Sequence, residues 1–326
     1  MSRKTEKLKN YVLFLSGIGT IYAGSIKLKQ YIGGQIYDGQ ENLYGKTVII
    51  TGGNNGIGKA TAFELANRGA KIVLASRNLE KCEKAREDIV LESMNKNVFC
   101  RKCNLASQNS IREFVKQFEK ENSELHILIN NAGERNYKKK LTEEGIEAQL
   151  GINYLGHFLL TNLLLHLLKR SEPSRIINVS CPSYRKGEIN VMDLNSDNIF
   201  DGEKAYAQSK LAIMLFTKEL ALQLKGSKVT INAVNPGASD TDILRESSYS
   251  TSIISKIFVK PFLWPLLKTP KQAAQTIIYA ALNEHVNNVS GSYFVDFKNC
   301  EMNISITSEK LSKWLWETSC KWTRLT

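Results

Sequence analysis

Cysteine, acidic side chains and long apolar runs are all in short supply in this 326-residue chain. Six cysteines at this length are too sparse for a disulfide scaffold. Cys100-x-x-Cys103 has metal-like spacing but falls on a strand pattern, with no second such pair and no paired histidines. It reads as structural, and no metal site is expected. No apolar run reaches the ~20 residues that a membrane-crossing helix needs. The mean hydropathy of −0.26 excludes a polytopic membrane protein. There is no repeat of solenoid period, no zinc-finger or helix-turn-helix pattern, and no basic stripe interleaved with aromatics. Nucleic acid is therefore not an expected partner. Asp and Glu number 32 against 44 Lys and Arg, a net charge of +12. With nucleic acid set aside, that charge is assigned to an anionic membrane surface and to a phosphate-bearing ligand. What remains, 42% hydrophobic and 23% charged residues, is the balance of a globular protein with a sizeable core.

The first 45 residues differ from the rest. Arg3, Lys4, Lys7 and Lys9 precede an apolar run from Tyr11 to Ile26, and Lys27 and Lys29 close it. Snorkelling lysines at both ends could extend its reach. No small-residue cleavage site follows, which argues against a removed secretory signal. The functional reading of residues 1–30 is an uncleaved anchor or a helix lying in the membrane interface; the alternative is a buried N-terminal helix. Residues 31–44, rich in Gly and polar side chains, read as a linker.

From Gly45 onward, short β-branched runs alternate with helical patterns. Strands are expected at Lys46–Thr51, Lys71–Ala75, Asn97–Arg101, His126–Asn130, Arg175–Ser180, Lys228–Val234 and Ser292–Asp296. Helices are expected at Ile57–Arg68, Leu79–Ser93, Ser110–Glu121, Glu143–Lys169, Lys204–Leu224 and Lys271–Asn283. Strands that are apolar throughout are buried on both faces, which predicts a parallel sheet covered by helices. The fold class is α/β, a doubly wound parallel sheet of Rossmann type, over residues 45–300, with a helical tail at 301–326.

Directly after the first strand comes Thr51-Gly52-Gly53-Asn54-Asn55-Gly56-Ile57-Gly58. Gly52 allows a tight exit from the strand. Gly56 lets the backbone approach a pyrophosphate, and Gly58 lets the helix lie close to the sheet. The helix N-terminus then offers unpaired N–H groups to the anion. The strand–glycine turn–helix context makes this a dinucleotide site rather than a structural turn. The second strand ends at Ser76-Arg77, where an acid would bind a ribose 2′-hydroxyl. Arg77, with Lys59 beyond the glycines, favours a 2′-phosphate and hence NADP(H) over NAD(H).

With Asn130-Asn131-Ala132-Gly133, Asn153, Tyr206-x-x-x-Lys210 and Asn235-Pro236-Gly237 following in order, the chain resembles the short-chain dehydrogenase/reductase family. Leu128–Gly133, Asn153–Leu165, Ser174–Ser180 and Ala205–Leu220 resemble its retinol dehydrogenase branch. The N-terminal segment with Gly45–Val48 is similar to the mitochondrial-type members. The resemblance implies a cofactor set of Thr51, Gly52, Asn54, Gly56, Ile57, Gly58, Arg77, Asn104, Asn131, Ala132, Gly133, Tyr206, Lys210, Pro236, Gly237 and Thr241. It implies Tyr206 as proton donor or acceptor, Lys210 as its partner and holder of the nicotinamide ribose, and Asn153 as the prop of the lysine. The physics agrees: residues four apart share a helix face, and a neighbouring ammonium favours a phenolate.

The chain also departs from the family. Cys181 stands where the catalytic serine is expected, and a thiol is larger and a weaker donor. Ser180 should face the other way if the strand continues; Ser183 is the remaining substitute. Asn104 stands where the branch has an aspartate that bonds adenine. Glu134-Arg135-Asn136, Tyr137 and Lys138–Lys140 replace an apolar stretch and make the substrate rim polar. Ile257–Leu267 reads as core or substrate lid, with a membrane-dipping flap as the second reading. Asn178, Asn288 and Asn303 head glycosylation patterns, the first in a core strand.

The expected activity is hydride transfer between NADP(H) and a lipophilic aldehyde or alcohol, slowed by Cys181. The competing expectation is a catalytically silent member that binds nucleotide or lipid and acts through interactions. Expected partners are the small carbonyl or alcohol substrate and a membrane surface, with a homo-oligomer left open. By resemblance the location is mitochondrial, with the endoplasmic reticulum second.

Overall fold

The computed structural model describes residues 3–239, 267–302 and 308–325. One eight-stranded sheet organises the chain, in the order β3-β2-β1-β4-β5-β6-β7-β8. Its strands are β1 (Thr47–Thr51), β2 (Lys71–Ser76), β3 (Val98–Lys102), β4 (Ile127–Asn130), β5 (Ser174–Val179), β6 (Val229–Asn235), β7 (Tyr293–Val295) and β8 (Lys298–Cys300). All neighbours are parallel except β7 and β8. The chain order reverses between β1 and β4, where Ile49 sits between Val73 and Leu128. Ligand crevices of such sheets open at this reversal, beyond the carboxyl ends of the strands.

The strand signal was burial, and the burial is there. Val48, Ile49 and Ile50 are completely buried, each stabilising the fold by roughly 1.5–3 kcal/mol relative to exposure. On one face lie α2 (Gly56–Asn67), α3 (Leu79–Ser93) and α8 (Pro270–Leu282). On the other lie α4 (Gln108–Glu121), α6 (Gly156–Arg170) and α7 (Gly202–Gln223). A C-terminal helix, α9 (Ser308–Thr323), lays Trp316 across Phe158 and Phe216, with ring centroids 4.9 and 6.0 Å apart.

Several sequence expectations are corrected. The single helix expected over Glu143–Lys169 is broken. Gly145 takes a left-handed turn with φ of 77°, and helix begins only at α5 (Ala148–Leu150). There the Glu147 carboxylate accepts the Gln149 and Leu150 N–H groups. A π-turn, Gly151–Leu155, then precedes α6. The short β8 was not expected. Cys100, read as structural, is disulfide-bonded to Cys82 of α3, a partner that its spacing to Cys103 did not suggest. β3 alternates, so Cys100 faces α3 with Val98. Cys103 stays free, and burial pushes its thiol up to about 12.

At the N-terminus α1 (Arg3–Ile32) is one continuous helix. Among the described residues no helix is long and apolar enough to cross a membrane. The stretch after α1 lies on the body: Tyr37 N–H donates to Gln275 Oε1, and the Tyr37 ring meets Tyr279 and Phe297 edge-on. Thr241 and Asn303 lie outside the described residues, as does residue 266 and all but the last residue of the Ile257–Leu267 stretch. Asn178 is completely buried, donating to Thr217 and accepting from Asn130.

Candidate active site

The site grows from the end of β1. Thr51 Oγ1 accepts the N–H groups of Asn131 and Ala132 at 2.9 and 3.0 Å. Asn131 Nδ2 donates back to the Thr51 carbonyl at 2.9 Å. The turns after β1 and β4 are thereby locked together. Gly52 has φ of 65°, and a Cβ there would lie 3.1 Å from Ala132 Cα. A Cβ on Gly58 would sit 2.4 Å from the Gly52 carbonyl oxygen. Asn54, Gly56 and Ile57 lie on the same turn, and Asn55 caps α2 by accepting the Gly56 N–H at 2.7 Å. The cradle is open because its glycines carry no side chain, and it ends at the N-terminus of a 12-residue helix. Both features suit the pyrophosphate of a dinucleotide.

Around the adenosine end the residues are less uniform. The Arg77 side chain is 73% exposed, with Glu134 3.7 Å away. Lys59, expected to join it, is instead paired with Asp88 of α3 at 2.5 Å. The Lys59 hydrogen bond and charge hold the Asp88 carboxyl below its ordinary range. Asn104 Oδ1 is used within its own turn, accepting the Ala106 N–H at 3.2 Å.

The other half is carried by β5, α7 and the π-turn. Cys181, just past β5, has its Sγ 3.6 Å from Tyr206 Oη. Ser180 is turned away: its hydroxyl donates to the Lys210 carbonyl at 3.5 Å. Lys210 Nζ donates to the Val179 carbonyl at 3.2 Å and lies 5.6 Å from the centroid of the Tyr206 ring. Asn153, inside the π-turn, clamps the strand-exit loop. Its Oδ1 accepts the Glu134 N–H at 2.8 Å, and its Nδ2 donates to the Glu134 carbonyl and to Ser209 Oγ, both at 3.0 Å. Gly133 lies beneath: a Cβ there would be 3.4 Å from Asn153 Oδ1 and 3.7 Å from Lys210 Nζ. Pro236 and Gly237 close the far side, with the Gly237 N–H bonded to Asn235 Oδ1 at 2.9 Å.

Tyr206, Lys210, Asn153 and Cys181 therefore converge at the carboxyl ends of β4 and β5, beside the glycine turn. One electrostatic expectation fails. The Tyr206 phenol is not lowered; burial, and then the Cys181 thiol, push it well above the ordinary tyrosine range, with only Arg135 opposing. Lys210 is itself buried, which pulls its ammonium below the usual lysine range.

Sequence reasoning missed His157. Its Nε2 lies 2.9 Å from Thr51 Oγ1 and its Nδ1 3.0 Å from the Asn153 carbonyl. A carbonyl can only accept, so the ring proton sits on Nδ1. The bare Nε2 accepts from the Thr51 hydroxyl, which also lies 3.4 Å from the Ile129 carbonyl. Burial drives this imidazole down to about 4, so it is neutral. One ring thus ties the glycine turn to the π-turn. A lone histidine on an apolar helix carries no signal for this; only the helical contact with β1 reveals it.

The fold and this side-chain arrangement define a dinucleotide-dependent α/β oxidoreductase. A family model described as short chain dehydrogenase matches residues 46–251. The chain belongs to the short-chain dehydrogenase family. Retinol dehydrogenase 13 of Mus musculus is 44% identical over 315 residues, covering 96% of this chain and 94% of that protein. The Homo sapiens retinol dehydrogenase 13 is 45% identical over 315 residues, covering 96% and 95%. Retinol dehydrogenase 11 of Mus musculus is 41% identical over 310 residues, covering 95% and 96%. Within its family the chain falls in the retinol dehydrogenase branch. Among solved structures, an uncharacterized protein of Mycobacterium paratuberculosis superposes with a TM-score of 0.69 at 31% identity, covering 89% of this chain and 98% of that one. A short chain dehydrogenase of Pseudomonas syringae superposes with a TM-score of 0.63 at 25% identity, covering 79% and 97%.

Proposed function

We propose that this oxidoreductase moves a hydride between NADP(H) and a lipophilic aldehyde or alcohol of retinoid type, slowly because of Cys181. The carrying observation is the convergence of Tyr206, Lys210, Asn153 and Cys181 beside a glycine turn open to a dinucleotide. Gly52, Gly56 and Gly58 would seat the pyrophosphate, with Asn54 and Ile57 on the same turn. Asn131, Ala132, Gly133 and Asn104 would line the adenosine side. Pro236 and Gly237 would flank the nicotinamide. Arg77, largely exposed and held only by Glu134 at 3.7 Å, is the residue suited to a 2′-phosphate; Lys59 contributes less because Asp88 holds it at 2.5 Å. When bound, the nicotinamide supplies or accepts the hydride.

The chain's own side chains handle the proton. In reduction Tyr206 Oη gives its proton to the substrate oxygen; in oxidation it takes one back. Lys210 places a positive charge beside that ring, and Asn153 fixes the loop on which Gly133 and Glu134 sit. A serine hydroxyl at position 181 would donate to the substrate oxygen as charge develops. A thiol does this less well, and losing one such donor costs on the order of 10²–10³ in rate. The pairing of Cys181 with Tyr206 also favours a second reading, a nucleotide- or lipid-binding protein without turnover. The test is NADPH oxidation over a panel of aldehydes that includes retinal, with wild type and Tyr206→Phe side by side. Turnover abolished by Tyr206→Phe is the expected result. Turnover unchanged by it would refute the mechanism, and NADPH binding with no turnover at all would favour the second reading.

We also infer attachment to a membrane surface through α1. The helix carries Lys27 and Lys29, and Tyr22, Leu28 and Tyr31 are exposed, a pattern suited to the headgroup layer. The full chain should co-sediment with anionic vesicles; failure to do so removes this reading. Fractionation of cells then decides between the mitochondrial location and the endoplasmic reticulum.

A further inference from the structure

The reaction proposed above leaves one conspicuous cation unused. Arg135 stands two residues beyond Gly133, in the loop after β4. Its guanidinium carbon lies 5.2 Å from the centroid of the Tyr206 ring and 5.6 Å from that of Tyr137. Lys210 Nζ is also 5.6 Å from the Tyr206 ring, so two cations attend one phenol. Arg135 Nη2 donates to the Glu203 carboxylate at the start of α7, 68 residues further along the chain. Arg135 Nε is buried and has no hydrogen-bond partner. Its side chain is only 21% exposed, against 55% for Glu203. A surface ion pair gains little by sinking one guanidinium nitrogen out of water without a partner. The sunken position is explained by what the guanidinium meets there, the face of the Tyr206 ring.

We propose that Arg135 is a positioning residue for proton transfer: its guanidinium, held over the ring by Glu203, stabilises the phenolate form of Tyr206. It thereby takes over part of the electrostatic role that a serine hydroxyl at position 181 would have. A cation over a neutral phenol is attracted only by the ring quadrupole. Once Tyr206 has given its proton away, the same cation faces a full negative charge shared between the oxygen and the ring. The difference favours the deprotonated form, by an amount that Coulomb's law at an effective dielectric of ~20 puts at up to about two pH units. The other groups facing Tyr206 are Cys181 beyond β5, Lys210 on the same helix, and Glu203 at its first turn. Burial, Cys181 and Glu203 all oppose the phenolate, while Arg135 favours it.

This inference rests on the oxidoreductase reading for its purpose but not for its test. The full chain is prepared with ¹³Cζ-labelled tyrosine, and the Tyr206 resonance is assigned by its loss in Tyr206→Phe. Its titration is followed by NMR in wild type, Arg135→Leu, Arg135→Gln and Arg135→Lys. Where the midpoint lies beyond the stable range, the phenolate fraction is compared at the highest pH at which the fold is retained. Both neutral variants should titrate about one pH unit or more above wild type. Arg135→Lys, which keeps the charge, should recover at least half of that shift. In the alcohol-oxidising direction the pH profile of kcat should move the same way, with KM little changed. Coincident midpoints in wild type and in whichever neutral variant folds would overturn the proposal, as would a downward shift. A wild type that turns over no aldehyde, yet shows the Arg135 shift, would sink the hydride-transfer reading and leave standing the stabilisation of the Tyr206 phenolate by Arg135.

Discussion

At the nucleotide end of the site, position is held by main chain. The Asn131 and Ala132 N–H groups end on Thr51 Oγ1, Gly52 takes a left-handed φ of 65°, and Gly58 stands where a Cβ would collide with the Gly52 carbonyl. At the proton-transfer end, position is held by side chains from distant parts of the chain: Cys181 against Tyr206, Arg135 against Glu203, Asn153 against Ser209. Of the departures read in the sequence, Cys181 and the Glu134–Asn136 stretch fall at the second end, and Asn104 falls at the first. A backbone cradle tolerates almost no change because an added side chain meets backbone or a left-handed φ. A side-chain cluster can exchange one donor for another and keep its shape, at the expense of rate.

The largest effect is expected at Gly58 of the nucleotide cradle. In Gly58→Val a branched side chain must enter where a Cβ already lies 2.4 Å from the Gly52 carbonyl oxygen. Overpacking of this kind costs up to about 3 kcal/mol, so NADPH affinity by fluorescence titration should fall by about 10²-fold. Unchanged affinity would mean that the cradle is elsewhere.

His157 joins the two ends, and its contribution can be read from stability. Its folded value is near 4 against ~6.5 for a free imidazole. The unfolded chain therefore binds a proton that the folded chain excludes. The stability due to the neutral ring is complete above ~6.5 and is lost as pH falls toward 4, by on the order of 3 kcal/mol at the low end. His126 is also lowered by burial, but it is present in both proteins and cancels in the comparison. Denaturant melts of wild type and His157→Phe from neutral pH downward should differ in slope by this amount; parallel curves would contradict the assignment.

Arg77→Ala should weaken NADP(H) by about 1.5–3 kcal/mol, the worth of a charge-assisted hydrogen bond, and leave NAD(H) almost untouched. Lys59→Ala should do less, because its partner is Asp88. Calorimetric titration with both cofactors gives the answer, and tighter NAD(H) binding by wild type would overturn the cofactor preference.

Legibility in the sequence followed the same division. The glycine turn is a local pattern whose geometry is set by neighbours in the chain, while Asn131–Gly133 and the Tyr206–Lys210 pair were legible only through their order with it, as a family resemblance. The doubly wound sheet was readable because its central strands, such as β1 and β4, are buried throughout. What could not be read depends on contacts across the fold. The π-turn that sets Asn153 is followed by Gly156, where a Cβ would lie 2.7 Å from the Leu105 carbonyl. Cys82 meets Cys100 only once α3 lies on β3. Arg135 was legible as a polar departure, but not its place over the Tyr206 ring, which needs α7 to bring Glu203 alongside. Lys59 looked free because Asp88 is distant in sequence.

In the function proposed above, the nucleotide end is intact while the reaction end is slowed at one atom. Cys181→Ser tests it most directly, with NADPH affinity and the kcat of aldehyde reduction measured on the same preparation. The account predicts an unchanged Kd and a higher kcat, by as much as the ~10²-fold that one well-placed donor contributes. A kcat that stays put or falls while NADPH binds normally would contradict it.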